Sequence, residues 1–148
     1  MNKIILSTLG IFAFLIFTNI DAYACSCFPR GDEPLKQQVN KAKNDSQTVF
    51  SGKVLEVIRK PGNFQVIVKL RVENLWKGNV SRQITVLTGA DSAMCGYNFE
   101  VGKSYLIYAS GADVNNLQTN ICTRTANLSA AKADIKILGK GKILRKGK

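Results

Sequence analysis

The chain contains no histidine. That removes the commonest general base and metal ligand, and with them Ser-His-Asp and Cys-His catalysis. The ten carboxylates include no close pair arranged for acid–base work. Paired C-x-x-C knuckles are also missing, which argues against a structural zinc site built from the four cysteines. No basic stripe interleaved with aromatics is present, so nucleic acid is not an expected partner. No internal repeat and no second domain can be made out, and no apolar run reaches the ~20 residues of a membrane-spanning helix. These absences point away from an enzyme and from a resident cofactor.

The first stretch with a positive identity is the N-terminus. Lys3 supplies a charged start, Ile4 to Phe17 an apolar run, and Ala22-Tyr23-Ala24 small residues where a signal peptidase reads. Residues 1–24 are therefore expected to be a removed export signal, leaving no membrane span. A lipoprotein signal fits less well, because Ala22 and Tyr23 occupy positions that such a signal fills with a larger aliphatic and a small residue. Cleavage after Ala24 makes Cys25 the first residue of a 124-residue secreted protein, periplasmic or extracellular. Lys3 and Asp21 cancel, so the product keeps the formal charge of +11. That charge favours acidic surfaces, an acidic polysaccharide among them. An exported chain with four cysteines is expected to form two disulfides. A direct Cys25–Cys27 bond would need a strained small loop. Cys25 and Cys27 are therefore expected to reach Cys95 and Cys122, in either order. A loop of about 70 residues closed in this way contributes roughly 4 kcal/mol in the chain-entropy model.

Along the mature chain, Leu35, Val39 and Ala42 make an i, i+4, i+7 stripe, predicting a helix over 35–43 that begins after Pro34. Arg30-Gly31-Asp32 matches a short cell-adhesion tripeptide that recurs by chance. Strands are expected over Val49 to Ile58, with Gly52 as a bulge, and over Phe64 to Val72, where Phe64, Val66, Val68, Leu70 and Val72 share one face. Lys60-Pro61-Gly62-Asn63 turns between them. Further strands are expected over Ile84 to Leu87, over Tyr105 to Tyr108 (central, being apolar on both faces), and over Leu117 to Cys122. A second helix is expected from Leu128 to about Leu138, capped by Asn127. Residues 139–148 form a basic tail with a frayed end. The expected fold is mainly β: a five-stranded Greek-key OB-type barrel with short flanking helices and two disulfides.

The residues Cys25-Ser26-Cys27-x-Pro29, Ser92-Ala93-Met94-Cys95-Gly96, Gly102-Lys103-Ser104-Tyr105-Leu106-Ile107 and Cys122 resemble, over roughly 25–138, the inhibitory N-terminal domain of the tissue inhibitors of metalloproteinases, within the netrin-like superfamily. The resemblance implies the pairings Cys25–Cys95 and Cys27–Cys122. It also implies a monomeric secreted inhibitor of zinc metalloendopeptidases. In that reading the amine and carbonyl of Cys25 chelate the zinc of the partner protease, which is the only metal contacted. Ser26 enters a specificity pocket, Cys27, Phe28 and Pro29 lie along the cleft, and Ala93, Met94 and Cys95 flank it. The sequence departs from the family in lacking cysteines for a third disulfide, in lacking a separate cysteine-rich C-terminal domain, and in carrying Arg30-Gly31-Asp32 after the proline. The alternative is a netrin-like binding module for acidic glycans, a cell surface or a protein partner, without protease inhibition. A plain structural barrel stabilised by its cysteine pairs is the third reading.

Overall fold

A computed structural model describes residues 25–27, 31–113 and 115–144. Residues 1–24, Phe28, Pro29, Arg30, Val114 and the last four residues lie outside these described residues. The elements are α1 (Leu35–Asp45), β1 (Thr48–Arg59), β2 (Gln65–Lys77), β3 (Gln83–Gly89), β4 (Ser104–Ala109), β5 (Ala126–Asn127), α2 (Lys132–Leu138) and β6 (Lys142–Ile143). The fold is mainly β, with antiparallel strands in the order β3-β2-β1-β4-β5 and β6 added against β2. No helix among the described residues is long and apolar enough to cross a membrane.

β1 organises the sheet. Its first half pairs with β4, from Thr48↔Ala109 to Lys53↔Ser104, while Val49 to Arg59 pairs with β2. Register shifts beside Phe50, Gly52 and Glu56 bend it along the way. Gly52 is needed at one of them, because a Cβ there would stand 3.0 Å from the Arg71 carbonyl oxygen. An inserted residue also flips which side chains face inward. Val66, Val68, Leu70 and Val72 point into the core, but beyond the shift opposite Gly52 the inward position is Leu75. The hairpin turn has its donor at Asn63, bonded to the Lys60 carbonyl at 3.1 Å, and Gly62 takes the positive φ of 73°.

Phe64 does not join the core as expected. It precedes β2 in the turn and is 70% exposed.

β4 is buried on both faces, as its apolar sequence predicts. Tyr105, Ile107 and Ala109 enter the main core with Phe50, Leu70 and Val86. Leu106 and Tyr108 face the other way, where Ala131, Ile135 and Leu138 of the α2 region and Ala42 of α1 cover them. One strand thus fixes both the sheet interior and the seat of the helices.

The expected fifth strand over Leu117 to Cys122 is reduced to bridges at Gln118, parallel to Leu87 and antiparallel to Ser110. Those bridges still tie the β3 edge to the end of β4, with the Leu87 amide donating to the Leu117 carbonyl at 2.8 Å. Thr119 to Thr125 then turn away because their hydroxyls bond locally and compete with a ladder. α1 runs two residues beyond its expected end, and the Lys77 ammonium donates to the carbonyls of Lys43 and Asn44, closing its C-terminus. α2 starts at Lys132 and not at Leu128, because Asn127 caps a turn: its Oδ1 accepts from the amide and hydroxyl of Ser129. The expected frayed tail is attached over its first residues. Trp76 Nε1 donates to the Gly139 carbonyl at 2.7 Å, and Lys142–Ile143 pair with Leu75 and Asn74.

Candidate functional site

Two disulfides bring three distant stretches of chain to one edge. Cys25 bonds to Cys95 and Cys27 to Cys122, with Cα separations of 5.3 and 5.2 Å. The two bonds lie side by side, Cys95 Sγ and Cys122 Sγ being 3.9 Å apart. The sulfurs of Cys25, Cys27 and Cys122 fall within 4.8 Å of one another. All are committed to disulfides, so none is offered as a thiolate to a metal.

The loop carrying Cys95 is built to hold one shape. Asp91 caps a 3₁₀ turn over Ser92–Met94, its carboxylate accepting from the Met94 amide at 3.1 Å. Cys95 then adopts a left-handed conformation at φ 56°, which lets the Gly96 amide return to the Asp91 carbonyl at 2.7 Å. Gly89 and Gly96 are required by close approach. A Cβ on Gly89 would strike the Met94 carbonyl oxygen, and one on Gly96 the Gly89 carbonyl oxygen. The loop therefore sits directly on the end of β3.

The Cys122 loop is anchored as firmly. Asn120 Oδ1 accepts from the amides of Cys122 and Thr123 at 2.9 and 3.1 Å. The Thr119 hydroxyl donates to the Tyr108 carbonyl at 3.0 Å and meets the Thr125 hydroxyl at 2.6 Å, while Thr125 Oγ1 accepts from the Tyr108 amide. The Ile121 amide donates to the Cys95 carbonyl at 3.0 Å, joining the two loops. Beneath them Arg124 forms a two-pronged ion pair with Asp134, both contacts at 2.7 Å. The Tyr108 hydroxyl donates to the same carboxylate at 3.1 Å. Burial, and then the neighbouring Asp134 carboxylate, push the Tyr108 hydroxyl well above its ordinary pKa. Hydrogen bonds to Asp134 hold Arg124 above its own, against the opposing effect of burial.

Of the residues singled out from the sequence, Cys25, Ser26, Cys27, Ala93, Met94 and Cys95 converge on this edge. Ser26 and Cys27 are exposed, Cys25 is half-buried, and Ala93 and Met94 are exposed on the facing loop. Phe28 and Pro29 lie outside the described residues. Sequence reasoning missed the threonine cluster and the Arg124–Asp134–Tyr108 group. The dense run Thr119-Asn120-Ile121-Cys122-Thr123-Arg124-Thr125 was the available signal, being too rich in hydroxyls and amides for an ordinary strand.

No family model matches the chain, and no curated protein matches it.

Proposed function

We propose that this protein is a secreted inhibitor of zinc metalloendopeptidases, working as a monomer and not as an enzyme, with the backbone of Cys25 as its zinc-binding group. The observation that carries the reading is the double tether. A cysteine that signal removal would make N-terminal is bonded to Cys95, and its neighbour but one is bonded to Cys122. Exposed Ser26 lies between these two anchors.

The chemistry follows from the residues. A catalytic zinc keeps one coordination position for water or substrate. A neutral α-amine and the carbonyl oxygen of the same residue form a five-membered chelate able to displace that water. The amine must lose its proton first, which its ordinary pKa of roughly 7.7–8.0 permits when a metal competes. The sulfur of Cys25 is not the ligand; it holds the amine in place. Because residues 25–27 are tied at both ends, binding orders little additional chain, and that spares affinity. Ser26 would present a small polar side chain to the pocket beside the zinc, with Ala93 and Met94 against the cleft wall.

The deciding experiment compares two oxidised proteins against a panel of zinc endopeptidases. One begins at Cys25 and the other carries one extra alanine before it. Inhibition by the first and not the second is expected. Equal inhibition by both would assign binding to another surface. If neither inhibits and both are folded, the binding-module reading takes over. In that case the charge of +11 leads to attachment to acidic glycans that weakens steeply with salt.

A further inference from the structure

The two disulfides are unequal and in contact. Cys27 and Cys122 are exposed, while Cys25 and Cys95 are half-buried, so a thiol arriving from solvent meets the Cys27–Cys122 bond first. Behind it, Cys122 Sγ lies 3.9 Å from Cys95 Sγ, a sulfur of the other bond. A thiolate released at Cys122 therefore stands beside a disulfide that it can attack.

What happens next depends on which chain is held once a bond opens. The Cys122 loop has anchors of its own. Asn120 Oδ1 accepts from the Cys122 amide, the Thr119 hydroxyl donates to the Tyr108 carbonyl, and Arg124 is held by Asp134 and donates to Gln38 at 3.1 Å. The Cys95 loop keeps its Asp91 cap and the bond from the Gly96 amide to the Asp91 carbonyl. The Ile121 amide donates to the Cys95 carbonyl, so the two loops are joined independently of either disulfide. No hydrogen bond ties residues 25–27 to the other described residues.

We propose that the paired disulfides form a thiol-triggered release for the N-terminal edge, in which Cys122 relays attack from the exposed bond to the Cys25–Cys95 bond. A small monothiol of the glutathione class supplies the first thiolate. It bonds to Cys27 Sγ, the Cys27–Cys122 bond breaks, and the electron pair leaves on Cys122 Sγ. The Cys122 thiolate then bonds to Cys95 Sγ and the Cys25–Cys95 bond breaks. Cys25 leaves as a thiolate and takes up the proton that the monothiol lost. Two disulfides stand before the exchange and two after it, Cys95–Cys122 and the mixed disulfide on Cys27, so nothing is oxidised or reduced overall. The loops end bonded to each other, and residues 25–27 to neither. This regulatory role rests on the reading of residues 25–27 as the inhibitory edge; the exchange itself does not.

The test treats the oxidised protein beginning at Cys25 with glutathione, blocks free thiols with N-ethylmaleimide, and maps the bonds after tryptic digestion without reduction. Cleavage after Arg30, Arg82, Lys103 and Arg124 leaves Cys25 with Cys27 on one peptide, and Cys95 and Cys122 each on its own. The expected product is peptide 83–103 bonded to 104–124, with 25–30 released carrying one glutathione and one blocked thiol. Any map lacking the bond between 83–103 and 104–124 overturns the relay, whether 25–30 stays bonded to 83–103 or all three peptides separate. In a Cys27→Ala/Cys122→Ala double variant the relaying sulfur is gone. Its Cys25–Cys95 bond should open at least about tenfold more slowly, because the intramolecular attack is lost. Opening at an equal rate means that glutathione reaches that bond directly, and overturns the relay. Inhibition, measured after glutathione is removed, should fall in step with the appearance of the joined 83–103 and 104–124 peptides; retained inhibition overturns the regulatory role. If the untreated protein inhibits no endopeptidase, the functional reading fails, while the peptide map still decides the exchange.

Discussion

Around Phe50 and Leu70 the chain is held by burial and continuous ladders, with β1 paired on both sides and its core residues fully enclosed. Around residues 25–27 there is no ladder and little burial, and two covalent bonds take their place. The first region is cooperative, since each side chain there depends on many neighbours. The second is modular, since its position depends on two bonds and on how well Cys95 and Cys122 are themselves anchored. A binding edge benefits from the second arrangement. It can present exposed backbone without being absorbed into the sheet.

Reducing both disulfides should have the largest effect, and should act on the N-terminal edge before the sheet. Each closes a long loop, with sequence separations of 70 and 95 residues, and the chain-entropy model assigns about 4–5 kcal/mol to either one alone. Denaturant titration of oxidised and reduced protein should show that loss, and limited proteolysis should cut first around 25–27. Phe50→Ala, in the main core, should cost about 3–5 kcal/mol through lost burial and a residual cavity. It should leave proteolysis around 25–27 in the oxidised protein unchanged.

Removing one partner of the Arg124–Asp134 pair tests the join between the regions. Asp134→Ala leaves a mostly buried guanidinium unpaired, an event worth about 3 kcal/mol or more in stability. Its effect should reach both the Cys122 loop and the contact with Gln38.

Tyr108→Phe probes the same group more gently and gives a pH signature. Loss of a hydroxyl donating to a carboxylate should cost about 1.5–3 kcal/mol at neutral pH. The folded-state pKa of Tyr108 is raised, so the stability linked to its protonation is fully present below the unfolded value of about 10 and is lost as pH rises above it. The gap between the phenylalanine variant and the natural protein should therefore narrow above about pH 10, measured by paired denaturation at pH 8 and pH 11. The smallest effect belongs to the exposed Lys69–Glu56 pair, at 2.9 Å with both side chains about half exposed. Glu56→Gln should shift stability by no more than about 0.5 kcal/mol, and less in high salt.

Much of the sheet was legible because its signals are local. Alternation over Val66 to Val72, the Pro61-Gly62 turn and the all-apolar Tyr105 to Tyr108 run each needs only a few consecutive residues to be read. Phe64 was misassigned because the same alternation continues one step past the strand, and only the chain reversal shows that it lies in the turn. The C-terminal tail was misread for a similar reason. Its lysines look solvated, and nothing local says that Trp76 and the free edge of β2 will take hold of it.

At the candidate site the participants are readable from residue identity alone. With four cysteines, two of them in a C-x-C pattern too tight to close on itself, the N-terminal stretch pairs with distant loops. Residue spacing could not choose between the two long pairings, because either order closes loops of similar length and similar entropy. That choice belongs to tertiary structure. The Cys95 loop settles on Gly89, the Cys122 loop hangs from Tyr108 and Asp134, and each cysteine meets the partner whose Cα lies within bonding reach. The hydrogen bond from Arg124 to Gln38 belongs there too, since contacts between residues 86 positions apart leave no trace in local pattern.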